Sequence, residues 1–319
     1  MRVLFLAPKY MDLYKNILNE LNRQDVETVF IEDVPQKYNY RFRYKHSVKE
    51  SIRNILYYIK SLLYVNWREY WSDRLNSIDN FYFDKLFVIN GFSYNKYLLE
   101  TLRKFNNNIE TYLYLWDNLY AYNFSYIIND FDHCYTLDFQ DAVNKEKLNF
   151  LPAFWVPSDS LFEDKSKYDV FMIGTNHDDR YLIATSVIKQ IKKNGLTCFI
   201  KLVDKNLPED EIITHKFFPT VEYLKLMRQS RCVLDTERPS QTGPTVRLVW
   251  ALSLGKKIIS TNAHMKEMPF YNPNQICIID RNSPQLDIDF INNEAQIEIS
   301  DYIQNLRVDN WISKVLNIE

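Results

Sequence analysis

One stretch, LDTERPSQTGPTVRLVWALSLGKKIISTN at residues 234–262, restricts the fold of this chain more than any other. It reads as a strand end, a polar loop holding Gly243, a helix opened by Pro244 and closed by Gly255, and a strand at Lys257–Thr261. Proline at the first helical position and glycine just past the last bracket such a unit. The helix Pro244–Leu254 is apolar on almost every side, which predicts burial, yet Arg247 sits in its first turns. A buried cation needs a partner. Two readings are open. The loop 239–245, with Gln241, Thr242, Gly243 and Thr245, and the N–H groups at the helix start could hold an anion beside Arg247. Alternatively, Arg247 closes an internal salt bridge with Asp235 or Glu237.

The 319 residues suffice for two domains. With 39 basic against 41 acidic residues, no excess of positive charge points to nucleic acid. Cys134, Cys198, Cys232 and Cys277 lie in apolar surroundings without paired spacing and read as reduced thiols, which favours a cytoplasmic protein. The five histidines form no ligand pattern with them, so no metal site is expected. Val3–Ala7 is too short for a signal peptide, and no apolar run is long enough to cross a bilayer.

In chain order, Arg2–Ala7, Tyr10–Leu21 and Val26–Ile31 predict strand, helix and strand. The first turn, Pro8-Lys9-Tyr10, has no glycine, which argues against a dinucleotide enzyme. Residues 37–68 carry eight basic residues and one acid between aromatics, and the apolar face continues to Trp71. Such a segment can lie on an anionic membrane surface or pack its apolar face on a sheet. Lys85–Ile89 ends in Asn90-Gly91, a helix follows at Tyr94–Phe105, and Glu110–Leu115 delivers Asp117 to a strand's carboxyl end, where ligands gather in open α/β sheets. Asp117 is the candidate base for an acceptor hydroxyl; the other reading is a cap for the next helix. Strand 133–137 and helix 140–147 lead to Pro152 and Pro157, which mark a linker.

The pattern then restarts with a strand at Tyr168–Ile173, a polar turn from Gly174, a helix Arg180–Lys193, and a strand Thr197–Val203 with Lys201 inside it. Of five glycines in the chain, Gly174 and Gly243 sit where backbone must come close to something. Val221–Gln229 predicts a helix, Gln275–Ile279 a strand, and Ser300–Leu316 one final helix.

The run QTGPTVRLVWALSLGKKIISTN, followed by FYNPNQICIID and DNWISKVL, resembles the C-terminal half of bacterial GT-B glycosyltransferases of capsule and lipopolysaccharide assembly. YLYLWDNL, FDHCYTLDFQDA and LPAFW resemble the N-terminal half, so the likeness covers roughly residues 80–315. The resemblance implies an α/β fold of GT-B architecture, two Rossmann-like domains with a cleft between them. Residues 1–157 would form the acceptor-side domain, 158–300 the nucleotide-sugar domain, and 301–319 a helix returning to the first. It implies transfer of a sugar from a nucleotide-diphosphate donor to a glycan or lipid-linked acceptor in surface polysaccharide synthesis, with no further cofactor. Peripheral membrane contact through 37–71 would suit a lipid-linked acceptor.

Donor contacts implied by the family are Gly174, Thr175, Arg180, Lys201, Gln241, Thr242, Gly243, Thr245 and Arg247. Arg180 is otherwise an exposed helix residue. The family commonly grips the donor ribose with a glutamate where Trp250 stands here, and Glu237 is the candidate stand-in. A tryptophan offers one N–H and no carboxylate, which leaves open a non-catalytic nucleotide- or carbohydrate-binding protein, or an epimerase, on the same scaffold. Asp130-Phe131-Asp132 and Asp287-Ile288-Asp289 have DxD spacing, but neither ends a strand. The leaving diphosphate is therefore expected to be stabilised by Arg180, Lys201, Arg247 and amides near Thr245 without a metal.

Overall fold

The computed structural model describes residues 1–10, 12–34, 67–157, 166–293 and 298–318. The chain forms two compact units, one of Met1–Leu151 with Val308–Glu319, the other of Pro152–Arg307. Each is built on a six-stranded sheet whose strand pairs are all parallel.

In the first unit the strands are β1 (Arg2–Ala7), β2 (Glu27–Glu32), β3 (Lys85–Ile89), β4 (Glu110–Leu115), β5 (His133–Thr136) and β6 (Asn149–Phe150), in the spatial order β2-β1-β3-β4-β5-β6. Helices α1 (Leu13–Arg23), α2 (Trp67–Leu75), α3 (Lys96–Arg103) and α4 (Phe139–Asn144) are the crossovers described. Parallel strands covered on both faces are apolar throughout, and β3 and the last five residues of β4 are buried without interruption. Leu4, Leu6, Leu86, Val88, Leu113 and Leu115 share one core with Trp71 of α2 and Leu98, Leu99 and Leu102 of α3. Residues 37–66 of the basic aromatic segment lie outside the described residues; Trp71, at its end, is fully buried.

The predicted helix over 300–316 is two: α9 (Asp301–Gln304) and α10 (Val308–Leu316). The carbonyl of Ile303 accepts from the Trp155 indole at 2.6 Å and that of Leu306 from the Trp155 amide at 3.0 Å. The Arg307 amide turns back onto Gln304 O at 3.1 Å instead, an i to i−3 bond. Backbone acceptors drawn outward in this way break the i to i−4 ladder. α10 packs on α1 and β4, with Trp311 edge-on to Tyr114 at 4.8 Å. Lys85 Nζ holds its last turn through the Leu316 carbonyl at 2.8 Å, a cation at a helix C-terminus.

The second unit contains β7 (Tyr168–Thr175), β8 (Cys198–Val203), β9 (Ile213–Thr214), β10 (Ser230–Asp235), β11 (Lys257–Ser260) and β12 (Ile276–Ile278), with helices α5 (Arg180–Lys193), α6 (Thr220–Arg228), α7 (Val246–Ser253) and α8 (Ile288–Asn292). The order β12-β11-β10-β7-β8-β9 is that of dinucleotide-binding folds, with its reversal between β7 and β10. Val170, Met172, Ile200, Leu202, Cys232 and Leu234 form a core with Ile183, Ala184, Val187 and Ile191 of α5.

The end of α7 follows the sequence reading. Gly255 takes φ 64, its amide bonds Leu252 O at 3.0 Å, and the Lys256 amide bonds Ala251 O at 2.9 Å. This doubly bonded stop suits glycine. The start differs, because Thr245 rather than Pro244 is the boundary. The Thr245 hydroxyl accepts the Leu248 amide at 3.1 Å, so it caps the helix and Pro244 stands outside it.

Candidate functional site

In doubly wound sheets a ligand crevice opens where strand order reverses, beyond the carboxyl ends of the two strands. In the second unit those ends are Thr175 of β7 and Asp235 of β10, and the loops leaving them carry Arg180 and the segment 236–245. Arg247 enters from α7. The exposed reading of Arg180 is corrected, since it is 6% exposed. Its Nε donates to Thr236 Oγ1 at 2.9 Å, Nη1 to Thr175 O at 2.7 Å and Nη2 to Thr236 O at 2.5 Å.

Of the two readings of Arg247, the internal ion pair is present. Arg247 Nε lies 3.0 Å from Asp235 Oδ1, and the side chains are 7% and 1% exposed. Nη1 donates to Ile173 O at 2.8 Å and Nη2 to Thr236 O at 3.1 Å. The capping hydroxyl of Thr245 donates to the same Asp235 oxygen at 2.5 Å. Two guanidinium groups thus meet at the Thr236 carbonyl. Gly174 is what lets them do so: a Cβ there would stand 2.9 Å from Arg247 Nη1 and 3.1 Å from Arg180 Nη1. The close approach foreseen at this glycine is to arginines of the chain itself.

Loop 239–245 is braced from within. Gln241 Nε2 donates to Gly243 O at 3.1 Å, and Asn262 Nδ2 reaches Thr242 O at 3.2 Å and Gly243 O at 3.3 Å. Lys201 does not join the cluster around Asp235; its Nζ donates to Glu211 O at 2.9 Å. The cation inside an apolar strand is explained by that carbonyl.

Glu237 is spoken for by groups of the chain. Oε2 accepts from Thr261 Oγ1 at 2.8 Å, and Oε1 pairs with Arg281 Nη1 at 2.6 Å. Arg281, which the sequence reading passed over, also forks onto Asp179, with Nε and Nη2 at 2.8 and 2.6 Å from its two oxygens. One side chain beyond β12 thereby ties the start of α5 to the end of β10. Trp250, 2% exposed, points its indole N–H at Phe154 O at 3.0 Å. The position where the resemblance expects a ribose contact is thus an interior one.

Charge in this crevice is marked by two shifted groups. Burial, then the charges of Arg180 and Arg238, lower the His177 imidazole to about 4, against the pull of Asp178. Burial and the nearby Asp235 raise the Glu237 carboxyl to about 7, against Arg281 and Thr261. The signs oppose. Between its ordinary value of 4.5 and about 7, folded Glu237 keeps a proton that the unfolded chain has released, so its contribution is complete below 4.5 and lost as pH rises through 7. Folded His177 lacks a proton that the unfolded chain holds between about 4 and 6.5, so its contribution is lost as pH falls through that window. Comparison with Glu237→Gln isolates the first. The native advantage over the variant, from urea midpoints, is expected to shrink by about 3 kcal/mol at most from pH 4.5 to 7. A difference flat with pH would make Glu237 an ordinary ionised partner of Arg281.

In the first unit Asp117 is held by a turn, not used as a helix cap. Asn90, left-handed at φ 62, donates Nδ2 to Asp117 Oδ2 at 2.9 Å and accepts the Trp116 amide at 2.8 Å. Asn is among the few residues that tolerate this backbone region. Nearby, Asp33 is 1% exposed and accepts from the amides of Phe92 and Ser93 and the Ser93 hydroxyl, each at 2.6 Å; burial raises its carboxyl to about 6. Only its place directly after a strand hinted at this role. At least one aspartate of each DxD pair has a structural partner: Asp132 takes the Thr111 amide and hydroxyl at 2.9 and 2.8 Å, and Asp287 caps α8. Among the described residues no group of three or more potential ligands could hold a metal.

No protein-family model matches the chain, and no curated protein matches it significantly in sequence. Among solved structures, sucrose-phosphate synthase from Thermosynechococcus elongatus superposes at a TM-score of 0.49 with 10% identity, over 100% of this chain and 94% of that one. The calicheamicin glycosyltransferase CalG4 gives 0.44 and 10%, over 98% and 93%. Arabidopsis thaliana UGT89C1 complexed with UDP gives 0.46 and 11%, over 100% and 95%. What fold and site define together is an α/β protein of two doubly wound parallel units, the second with a cluster of arginines at its strand reversal.

Proposed function

We propose that this chain is a GT-B-type glycosyltransferase that takes a sugar from a nucleotide-diphosphate donor, held by the second unit, to a glycan or lipid-linked acceptor of surface polysaccharide at the first. The observation that carries this reading is the placement of Arg180 and Arg238 at the reversal between β7 and β10, where both charges act on His177, in a unit whose strand order is that of dinucleotide-binding folds; Arg247, paired with Asp235, holds the loop and helix start in place. Positive charge fixed in place before the reaction is what a departing diphosphate needs. Under inversion of configuration, Asp117 is the base for the acceptor hydroxyl, its carboxylate oriented by Asn90. The reaction is proposed to need no metal, the cytoplasm is the proposed compartment, and residues 37–71 the proposed membrane contact. No helix among the described residues is long and apolar enough to cross a membrane.

A second reading, a non-catalytic nucleotide-binding protein, is favoured by one observation: neither Trp250 nor Glu237 offers an open ribose contact. A panel of nucleoside diphosphates separates both from an unrelated module. The matching nucleotide, at a hundred times its Kd, should stabilise the chain by about 2.7 kcal/mol in thermal unfolding. Flat melting curves across the panel would exclude both readings. Product analysis with a labelled nucleotide sugar then divides transferase from binder.

A further inference from the structure

We propose that Arg238 is the residue of this chain that contacts the phosphates of a nucleoside diphosphate, while Arg180 and Arg247 build the crevice that presents it. This rests on the nucleotide reading above. The division of labour follows from how the three guanidinium groups are engaged. Arg180 and Arg247 are 6% and 7% exposed and each donates from Nε, Nη1 and Nη2 to acceptors of the chain. They define the positions of Thr236, Thr175 and Ile173. Arg238 is half-buried, and among the described residues no hydrogen bond or ion pair engages its side chain. Its N–H groups are therefore uncommitted within the described residues and open to an anionic ligand.

Its location gives the anion its chemistry. Arg238 lies three residues past the end of β10, and His177 two residues past the end of β7, so they stand on the two sides of the strand reversal. Their proximity is registered electrostatically, because the charge of Arg238 acts on the His177 ring. The groups acting on that ring are Arg180, Arg238 and Asp178, whose Oδ2 lies 2.8 Å from Nδ1. Asp178 thus orients the imidazole edge. A guanidinium fork matches phosphate oxygens in two-point contacts, and a doubly charged group there would offset the two arginine charges that add to burial in lowering His177.

The test uses the full chain with UDP, and with inorganic pyrophosphate as a probe free of any base. Binding is followed by calorimetry and by the His177 proton resonances. Arg238→Ala should melt as the native chain does and bind pyrophosphate and UDP roughly 10- to 100-fold more weakly, the loss of one charge-assisted contact. Arg238→Lys should recover part of this. In the native chain, bound pyrophosphate should move the His177 titration upward from about 4. Native binding with Arg238→Ala unchanged would overturn this assignment and leave the nucleotide reading standing. No binding of UDP, of pyrophosphate or of any other nucleoside diphosphate by the native chain would sink both.

Discussion

Trp250→Glu is expected to unfold the second unit, not to restore a ribose contact. The indole is 2% exposed, stands edge-on to Tyr223 with ring centroids 5.7 Å apart, and donates to the Phe154 carbonyl at 3.0 Å. Removing a buried tryptophan costs about 3–5 kcal/mol in packing alone. The carboxylate that replaces it would enter beside a carbonyl oxygen, an acceptor facing an acceptor, and burying it unpaired adds several kcal/mol or forces it to bind a proton. Against a total stability of about 5–15 kcal/mol for an ordinary domain, this is decisive. Trp250→Phe keeps one aromatic ring but loses the N–H and part of the indole volume, so its expected cost is smaller, about 1–3 kcal/mol. Near-ultraviolet dichroism and melting curves of the two variants check this. A Trp250→Glu protein that melts like the native one and binds nucleotide more tightly would place this side chain in a donor site after all.

Trp250 also shows where sequence reasoning stops. The apolar run around it was enough to make α7 a buried helix, since that follows from local periodicity, and Gly255 marked its end. Which way the indole points depends on a carbonyl 96 residues earlier, and no local pattern encodes that. The pairing of Arg247 with Asp235 was within reach because both lie in one strand-loop-helix unit, 12 residues apart. Arg281 was not, because its partners Glu237 and Asp179 are 44 and 102 residues away. Arg180 looked like a surface residue because nothing in its own helix shows that the loop after β10 folds over it. The break between α9 and α10 contains neither glycine nor proline; it is imposed by Trp155, in a segment about 150 residues earlier. Most strands, the glycine stop of α7 and the repeat of the βα pattern were legible, being local. The wiring of the crevice was not, being a product of the sheet order.

That wiring reverses the expected behaviour of Arg247. Read as a ligand contact, it could be removed with the fold intact. As half of a buried pair at 3.0 Å, it cannot. Arg247→Met keeps much of the stem volume but leaves Asp235, 1% exposed, with the Thr245 hydroxyl in place of a full counter-charge. Breaking one side of a buried pair costs about 3–5 kcal/mol, mostly for the charge left behind. At about 2–4 °C per kcal/mol for a unit of this size, the melting temperature should fall by roughly 6–20 °C. The double variant Arg247→Met/Asp235→Asn removes the stranded charge and should recover a substantial part of that loss, a coupling that a double-mutant cycle reads directly. If Arg247→Met melted with the native chain, the pair would be contributing nothing to the fold and the anion reading of this arginine would return. The contrast with Arg238 is the sharper consequence. Two arginines nine residues apart should respond oppositely: substituting one unsettles the fold, while substituting the other leaves melting unchanged and takes away the phosphate.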